Sequence, residues 1–257
     1  MKAAEAPLDS PAVSDQETEL PRMSFLEHLE ELRRRLIVSI IALIAAFLIC
    51  WNFAEAIFHL LELPILRHLA EGERLAYTRV AAPFFLYMKV AFFAGLFAAS
   101  PVILWQLWLF ISPGLYRRER RYALPFIVFA SLFFIGGGLF GYLTVLPMAA
   151  GFFIEMGRGF QQVITVDDYF SFASKLILGM GLVFETPILV FFLSRIGIVT
   201  PAFLIQKFKY AVVLIFIIAA IITPTPDIVT QSALAVPMIL LYALGIGISY
   251  LFGRKVE

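Results

Sequence analysis

The segment Arg33-Arg-Arg-Leu-Ile-Val-Ser-Ile-Ile-Ala-Leu-Ile44 joins three consecutive arginines to the first long apolar run of the chain. A helix needs about 20 apolar residues to cross a bilayer, and this run is long enough. Basic residues beside a first span keep that end of the span on the cytoplasmic side. The acids that precede them, Glu27, Glu30 and Glu31, are not needed for orientation and require another explanation.

Composition assigns the whole chain to the membrane-protein class. Of its 257 residues, 61% are hydrophobic and 15% are charged, and the mean hydropathy is +0.90. Soluble domains are about half apolar and about a quarter charged. The one cysteine, Cys50, cannot form an intrachain disulfide. No phosphate-binding loop or metal-ligand motif is found, so we expect no enzyme activity, no cofactor and no metal.

The pattern of apolar runs predicts an all-α integral membrane protein with six transmembrane helices. Residues 1–22 are acidic and contain prolines, which predicts a disordered cytoplasmic tail ahead of a six-helix domain at 23–257. The predicted spans are about 36–60, 84–111, 122–150, 170–195, 210–223 and 232–252. We expect the last two helices to be shortened.

The fifth apolar run is too short for a full span. Only fourteen residues separate Lys209 from Pro224, which gives about 21 Å of helix. The loop Thr223-Pro-Thr-Pro-Asp227 is therefore expected to lie deeper than an ordinary loop, where the membrane is locally thinned.

The distribution of lysine and arginine places both termini in the cytoplasm. Short loops on the N-terminal side carry many basic residues, and those on the other side carry few. The first group is Arg22, Arg33, Arg34, Arg35, Arg117, Arg118, Arg120, Arg121, Arg195, Lys207, Lys209, Arg254 and Lys255; the second is Arg67, Arg74, Arg79 and Arg158. The segment at about 61–83 is predicted to form a small cap on the trans side.

The charged segment before the first span is predicted to be helical. Ser24 and Glu27 form a capping box, so a helix should begin at Phe25 and lie along the membrane before it turns in. Glu31 and Arg35 are i,i+4 neighbours, and a local ion pair of about 0.3–0.5 kcal/mol is the simplest explanation for them. In the next cytoplasmic loop, Glu119 lies among four arginines that determine the orientation without it. Two such carboxylates would also suit a ligand that carries guanidinium groups.

Glu185 is the residue with the largest expected free-energy cost of burial in the membrane, because it lies within the fourth span. A charged side chain at that depth costs a few to more than ten kcal/mol, so intramembrane acids are functional by default. A proton-coupled small-molecule transporter could use it, although such proteins usually contain internal repeats with paired broken helices. An intramembrane hydrolase would need a nucleophile and a base at one depth. A passive scaffold would leave Glu185 without a role.

Five motifs in order resemble the TatC family, the multi-spanning subunit of the twin-arginine protein translocase. They are His28-Leu-Glu-Glu-Leu-Arg33, Ser100-Pro-Val-Ile-Leu-Trp-Gln-Leu-Trp-Leu-Phe-Ile-Ser-Pro-Gly-Leu-Tyr116, Arg118-Glu-Arg-Arg121, Phe184-Glu-Thr-Pro187 and Pro226-Asp-Ile-Val-Thr-Gln231. The resemblance extends from about Ser24 to Gly253. It implies a receptor in the inner membrane that binds the twin-arginine signal peptides of folded cargo proteins. It also implies that the proton-motive force drives the export of that cargo.

The resemblance also implies roles for individual residues. The signal-peptide site would contain Glu31, Arg33, Phe110 and Glu119, and Glu185 would be the intramembrane polar residue. Pro64, Asp227 and Gln231 would be functional on the trans side. Single-span TatA and TatB-type subunits, the lipid bilayer and further copies of the chain are the implied partners, and no nucleic acid is implied.

Overall fold

The computed structural model describes residues 25–69, 72–111, 123–223 and 227–252. These residues form helices joined by short loops, and the β-type contact among them is an isolated parallel bridge between Ala76 and Thr165. The predicted all-α class is therefore confirmed.

The helices of the described residues follow one another in a simple order. They are α1 (Phe25–Trp51), α2 (Ala54–Leu66), α3 (Ala82–Ile111), α4 (Ala123–Phe140), a π-helical segment (Gly141–Val145), α5 (Leu146–Met156), α6 (Val166–Phe184), α7 (Thr186–Ile196), α8 (Pro201–Gln206), α9 (Phe208–Ile222) and α10 (Ile228–Phe252). Within this part of the chain, five segments are long and apolar enough to cross a membrane: α1, α3, α4–α5, α6–α7 and α10. The helix α9 is the shorter, sixth apolar segment.

The helices α1 and α3 run antiparallel along their whole length. His28, near the start of α1, stacks on Phe110, near the end of α3. Trp51, at the end of α1, contacts Phe84, near the start of α3. We call the end of the bundle that contains His28 the N-terminal face and the end that contains Trp51 the opposite face.

Small residues on α3 bring its backbone close to that of α1. Ala91, Gly95 and Ala99 are buried in one row, and a Cβ atom on Gly95 would lie 2.9 Å from the main-chain nitrogen of Phe47. Rows of small residues allow this kind of approach between membrane helices. The row therefore places the two helix backbones in contact.

Two predictions about the first span are wrong. The charged turns continue into the apolar part as one helix from Phe25, because no glycine or proline interrupts α1, so they are not a separate surface helix. The helix also ends at Trp51, before the predicted limit at residue 60. There the Asn52 side chain donates to the Leu48 carbonyl at 2.9 Å, and the Asn52 main-chain amide bonds only three residues back.

The third and fourth spans are longer than predicted. The third ends at Met156 rather than residue 150, because Pro147 occupies the first turn of α5, where the missing N–H is tolerated. The fourth begins at Val166 rather than residue 170. Its N-cap is Thr165, whose hydroxyl accepts from the Asp168 amide at 3.1 Å.

Proline does not break α3. Pro101 lies inside the helix and has no N–H to donate to the Phe97 carbonyl. The hydroxyl of Ser100 donates to that carbonyl instead, at 2.7 Å. A neighbouring side chain thus satisfies the main-chain group that the proline leaves free.

The fifth helix is short, as predicted, and the sixth is not. A Cβ atom on Gly179 would lie 2.9 Å from the side chain of Ile222, at the end of α9. Gly179 lies thirteen residues into α6, about 20 Å from its start at the opposite face. The end of α9 therefore lies deep within the bundle. By contrast, α10 extends over 25 residues from Ile228, which corrects the expectation of a shortened sixth helix.

The helix α2 forms the cap on the opposite face. It begins at Ala54, earlier than the predicted cap at 61–83, and its buried side chains include Phe58 and Leu61. The Tyr142 hydroxyl donates to the Leu60 carbonyl at 2.6 Å, and the Tyr169 hydroxyl donates to the Leu61 carbonyl. Two tyrosines of the bundle thus fix the cap by hydrogen bonds to its main chain.

Candidate functional site

Glu31, whose carboxylate is predicted to bind the ligand, lies where α1 and α3 meet at the N-terminal face. Its Oε1 atom is 3.1 Å from Nη2 of Arg35, one turn further along α1. The Nη1 atom of Arg35 donates to Oε1 of Gln106 on α3, at 3.3 Å. Arg35 thus links the carboxylate on one helix to an amide on the other.

This arrangement leaves polar atoms without partners. Among the described residues, Oε2 of Glu31 and Nε of Arg35 are buried and make no hydrogen bond. The Glu31 side chain is 16% exposed, so its carboxylate is largely removed from water. A buried carboxylate oxygen without a donor costs free energy, and a charged donor from a ligand would recover it.

Phe110 lies on the same seam between the two helices. Its ring stacks on that of His28, with 4.4 Å between the ring centroids. His28 precedes Glu31 by three residues and Phe110 follows Gln106 by four, so each pair shares one face of its helix. The structure therefore brings Glu31 and Phe110 to one place.

Of the other two predicted members of this site, the structure describes one. Arg33 is exposed, and at 100° per residue it points about 160° away from Glu31 around α1. Glu119 lies outside the described residues. The patch that the structure describes therefore consists of His28, Glu31, Arg35, Gln106 and Phe110, and we call it the α1–α3 patch.

Sequence reasoning missed Gln106. It is a buried amide in an otherwise apolar helix, and buried polar groups normally have hydrogen-bond partners. That signal is visible in the sequence. The identity of its partner, 71 residues away, is not.

Glu185 lies at the break between α6 and α7. The helix stops at Phe184 because Pro187 lacks the N–H that would continue the ladder, and Pro187 then occupies the first turn of α7. Oε1 of Glu185 is buried and, within the described part of the chain, makes no hydrogen bond. An uncompensated carboxylate oxygen at this depth is costly.

The three residues predicted for the trans side fall into two groups. Asp227 directly precedes α10, and there its Oδ1 accepts from the Thr230 amide at 2.7 Å and its Oδ2 accepts from the Thr230 hydroxyl. The Gln231 amide donates to the Phe216 carbonyl of α9 at 2.8 Å, which fixes the two helices to each other. Pro64 is buried in α2, and no hydrogen bond of the described residues joins it to this pair.

Comparison with known proteins identifies the family of this bundle. Residues 27–237 match the family model of the Sec-independent protein translocase protein TatC. Proteins of that name from Koribacter versatilis and Aquifex aeolicus are 49% and 41% identical, and the matches cover 92% and 91% of this chain and 88% and 97% of theirs.

Two solved structures agree with this result. Crystal structures described as the twin-arginine translocase receptor TatC, one of them in the detergent DDM, match with TM-scores of 0.76 and 0.79 at 41% and 40% identity. Each match covers 89% of this chain and 100% of the solved chain. This multi-pass membrane protein therefore belongs to the TatC family of Sec-independent protein translocase components.

Proposed function

We propose that this chain is the receptor of a twin-arginine translocase and binds the signal peptides of folded cargo at the α1–α3 patch. The family is that of a protein translocase component and not of an enzyme. The observation that carries the proposal is the buried Oε2 atom of Glu31, which has no donor among the described residues. A guanidinium group supplies such a donor together with the matching charge.

The proposed recognition step is an exchange between arginines. Arg35 occupies one oxygen of Glu31 through a single hydrogen bond. An arginine of the signal peptide that bonded both oxygens would form the bidentate geometry in which guanidinium and carboxylate pair best. Arg35 would then keep its hydrogen bond to Gln106 and remain at the edge of the site.

Glu119 is the proposed acceptor for the second arginine of the motif. Phe110, stacked on His28, would provide an apolar surface beside the peptide. Arg33 is exposed on another side of α1, and we propose that it contacts the peptide or cargo outside the α1–α3 patch.

We further propose the setting in which the receptor works. The N-terminal face would be cytoplasmic, with both termini inside, in the cell inner membrane. TatA and TatB-type single-span subunits would be its partners, and the proton-motive force would drive export. Glu185 would serve the transport step, while Pro64, Asp227 and Gln231 would act near the trans side. The likeness to structures described as the translocase receptor supports this proposal.

Site-specific crosslinking of a twin-arginine signal peptide tests the receptor assignment. We expect capture to be lost when Glu31 and Glu119 are both replaced by alanine. Glu30→Ala is the matched control, because Glu30 is an exposed acid one position away on the same helix. Unchanged capture by the double variant would contradict the assignment, as would an equal loss in the control.

A further inference from the structure

An apolar groove lies outside the α1–α3 patch, and none of its lining residues belongs to that patch. Its volume is about 670 Å³, and its walls come from α1, α3 and α6. Ile44 and Phe47 line it from α1, Phe92 from α3 and Leu178 from α6. Acyl chains of the bilayer would contact such walls directly.

One end of this groove is cationic. Lys89 of α3 and Lys175 of α6 both line it. A second cavity of about 290 Å³ adjoins it at Lys89 and is also lined by Arg79 and Asp167. Asp167 pairs with Lys89 at 2.8 Å and with Arg79 at 3.3 Å. Three cations against one carboxylate leave a net charge of +2 at this end.

Among the described residues, Lys175 is the cation of this group that pairs with no anion. It makes no ion pair and no hydrogen bond with the residues that the structure describes. It lies nine residues into α6, about 13 Å from the start of that helix, and Lys89 lies about 10 Å into α3. A helix of 30 residues such as α3 is about 45 Å long, so it exceeds a core of about 30 Å by about 7 Å at each end. Both Cα atoms therefore lie a few ångströms inside the hydrocarbon, where an amine requires a counter-ion or must extend to the interface.

The walls of the groove favour a lipid over a protein helix. Membrane helices that pack together do so through glycine, alanine, serine and threonine, whereas the lining contains one such residue, Ser174. A spanning helix about 10 Å wide and about 30 Å long occupies about 2,400 Å³, several times the volume of the groove. Large aliphatic and aromatic walls of this size suit one or two acyl chains.

We propose that this groove is a binding site for an anionic phospholipid of the leaflet at the opposite face. The acyl chains lie between α1, α3 and α6, and the phosphodiester group is held by Lys175 together with Lys89. Arg79 lies further out and contacts the headgroup. This site is separate from the proposed signal-peptide site and does not depend on it.

Lipid retention by the full-length chain tests the proposal. The protein is exchanged into micelles that contain phosphatidylglycerol and phosphatidylethanolamine with identical acyl chains, and the lipids retained after purification are measured by mass spectrometry. One lysine near a membrane surface changes the binding constant of an anionic lipid by about fivefold. We expect preferential retention of phosphatidylglycerol by the wild type and a loss of that preference of about fivefold in Lys175→Gln.

Matched variants and a competitor make the test specific. Lys175→Arg should keep the preference, and Lys209→Gln, an exposed lysine on the N-terminal face, should leave it unchanged. A large excess of inorganic phosphate should not displace the lipid, because it cannot fill the groove. If Lys175→Gln does not fold, Lys89→Gln on α3 tests the other proposed phosphate contact, and it also removes the ion pair with Asp167.

Four results would overturn the proposal. They are equal retention of the two lipids by the wild type, an equal loss of preference in Lys209→Gln, displacement by free phosphate alone, and occupation of the groove by a copurifying single-span protein that Lys175→Gln releases. The first three would show no specific lipid site, and the fourth would identify a helix as the occupant.

Discussion

The exchange of arginines at Glu31 makes a quantitative prediction for Glu31→Gln. Glutamine has nearly the shape of glutamate, so the seam between α1 and α3 should keep its packing. The substitution removes the negative charge and replaces one acceptor oxygen by an amide donor. Arg35 then loses its ion-pair partner on α1 and repels an incoming arginine.

The structure sets the size of the expected effect. With 16% of its side chain exposed, Glu31 is largely desolvated before the ligand arrives. Truncating one partner of a buried, hydrogen-bonded charge pair costs about 2–5 kcal/mol. We take the lower part of that range, about 2–3 kcal/mol, for two reasons. The side chain at position 31 remains partly exposed, and its remaining oxygen can still accept a hydrogen bond from Arg35. The dissociation constant for a twin-arginine peptide should then rise about 30- to 140-fold.

Fluorescence anisotropy of a labelled signal peptide, with the full chain in lipid nanodiscs, measures this change. The matched control is Glu30→Gln, which makes the same chemical change at an exposed neighbour. Exposed ion pairs contribute at most about 1 kcal/mol, so the control should weaken binding by less than about fivefold. A peptide with two lysines should bind the wild type weakly and should lose little more on Glu31→Gln, because lysine cannot pair with both oxygens.

Three results would refute the exchange. Binding of the twin-arginine peptide by Glu31→Gln within threefold of the wild type would show that the carboxylate is not its receptor. An equal loss in Glu30→Gln would reduce the effect to general surface charge. An equal loss for the two-lysine peptide would remove the argument from bidentate geometry. Thermal unfolding of each variant separates these results from simple destabilisation.

Other predictions concern packing and the remaining polar residues. Gly95→Ala should destabilise the bundle by about 1–3 kcal/mol, because the new Cβ would meet the backbone of Phe47; Gly136→Ala, which has nothing within 4 Å, should leave the unfolding midpoint unchanged or raised, and an equal effect of the two would be inconsistent with backbone contact. Asp227→Ala should lower stability by about 0.5–2 kcal/mol through loss of the hydrogen bond that caps α10, and an unchanged unfolding midpoint would exclude this role. Glu185→Ala should slow export of a folded twin-arginine substrate while complex assembly, followed by native electrophoresis, persists; normal export would exclude a transport role for the buried carboxylate.

Elements that depend on local chemistry could be predicted from the sequence. The short α9 follows from the fourteen residues between Lys209 and Pro224. This signal lies within a few positions of the feature it determines. Ser24 lies outside the described residues, so the capping box stays a prediction. The depth of the end of α9 was expected on the same basis, and the packing of Ile222 on Gly179 agrees with it.

The limits of other helices could not be predicted, because apolar composition does not mark where a helix breaks. Five of the seven residues at 54–60 are apolar, yet they belong to α2, since the chain leaves the helix at Asn52. The sixth helix was expected to be short, but Asp227 caps it and allows it to begin at Ile228. In both cases one polar side chain that bonds to nearby main chain determines the boundary.

The site itself shows why a correct local interpretation can still be incomplete. The ion pair of Glu31 and Arg35 is present, as their i,i+4 spacing predicts, and in isolation it would argue for a structural role. Gln106 changes that interpretation, because it bonds to Arg35 from α3 while one oxygen of Glu31 stays buried with no donor among the described residues. A pair formed only for stability would gain by satisfying both oxygens, and an alternating Glu–Arg surface helix could do so in water. The pair instead lies against a second helix with bonding capacity unused, which is the arrangement expected of a carboxylate that must release one arginine in order to bind another.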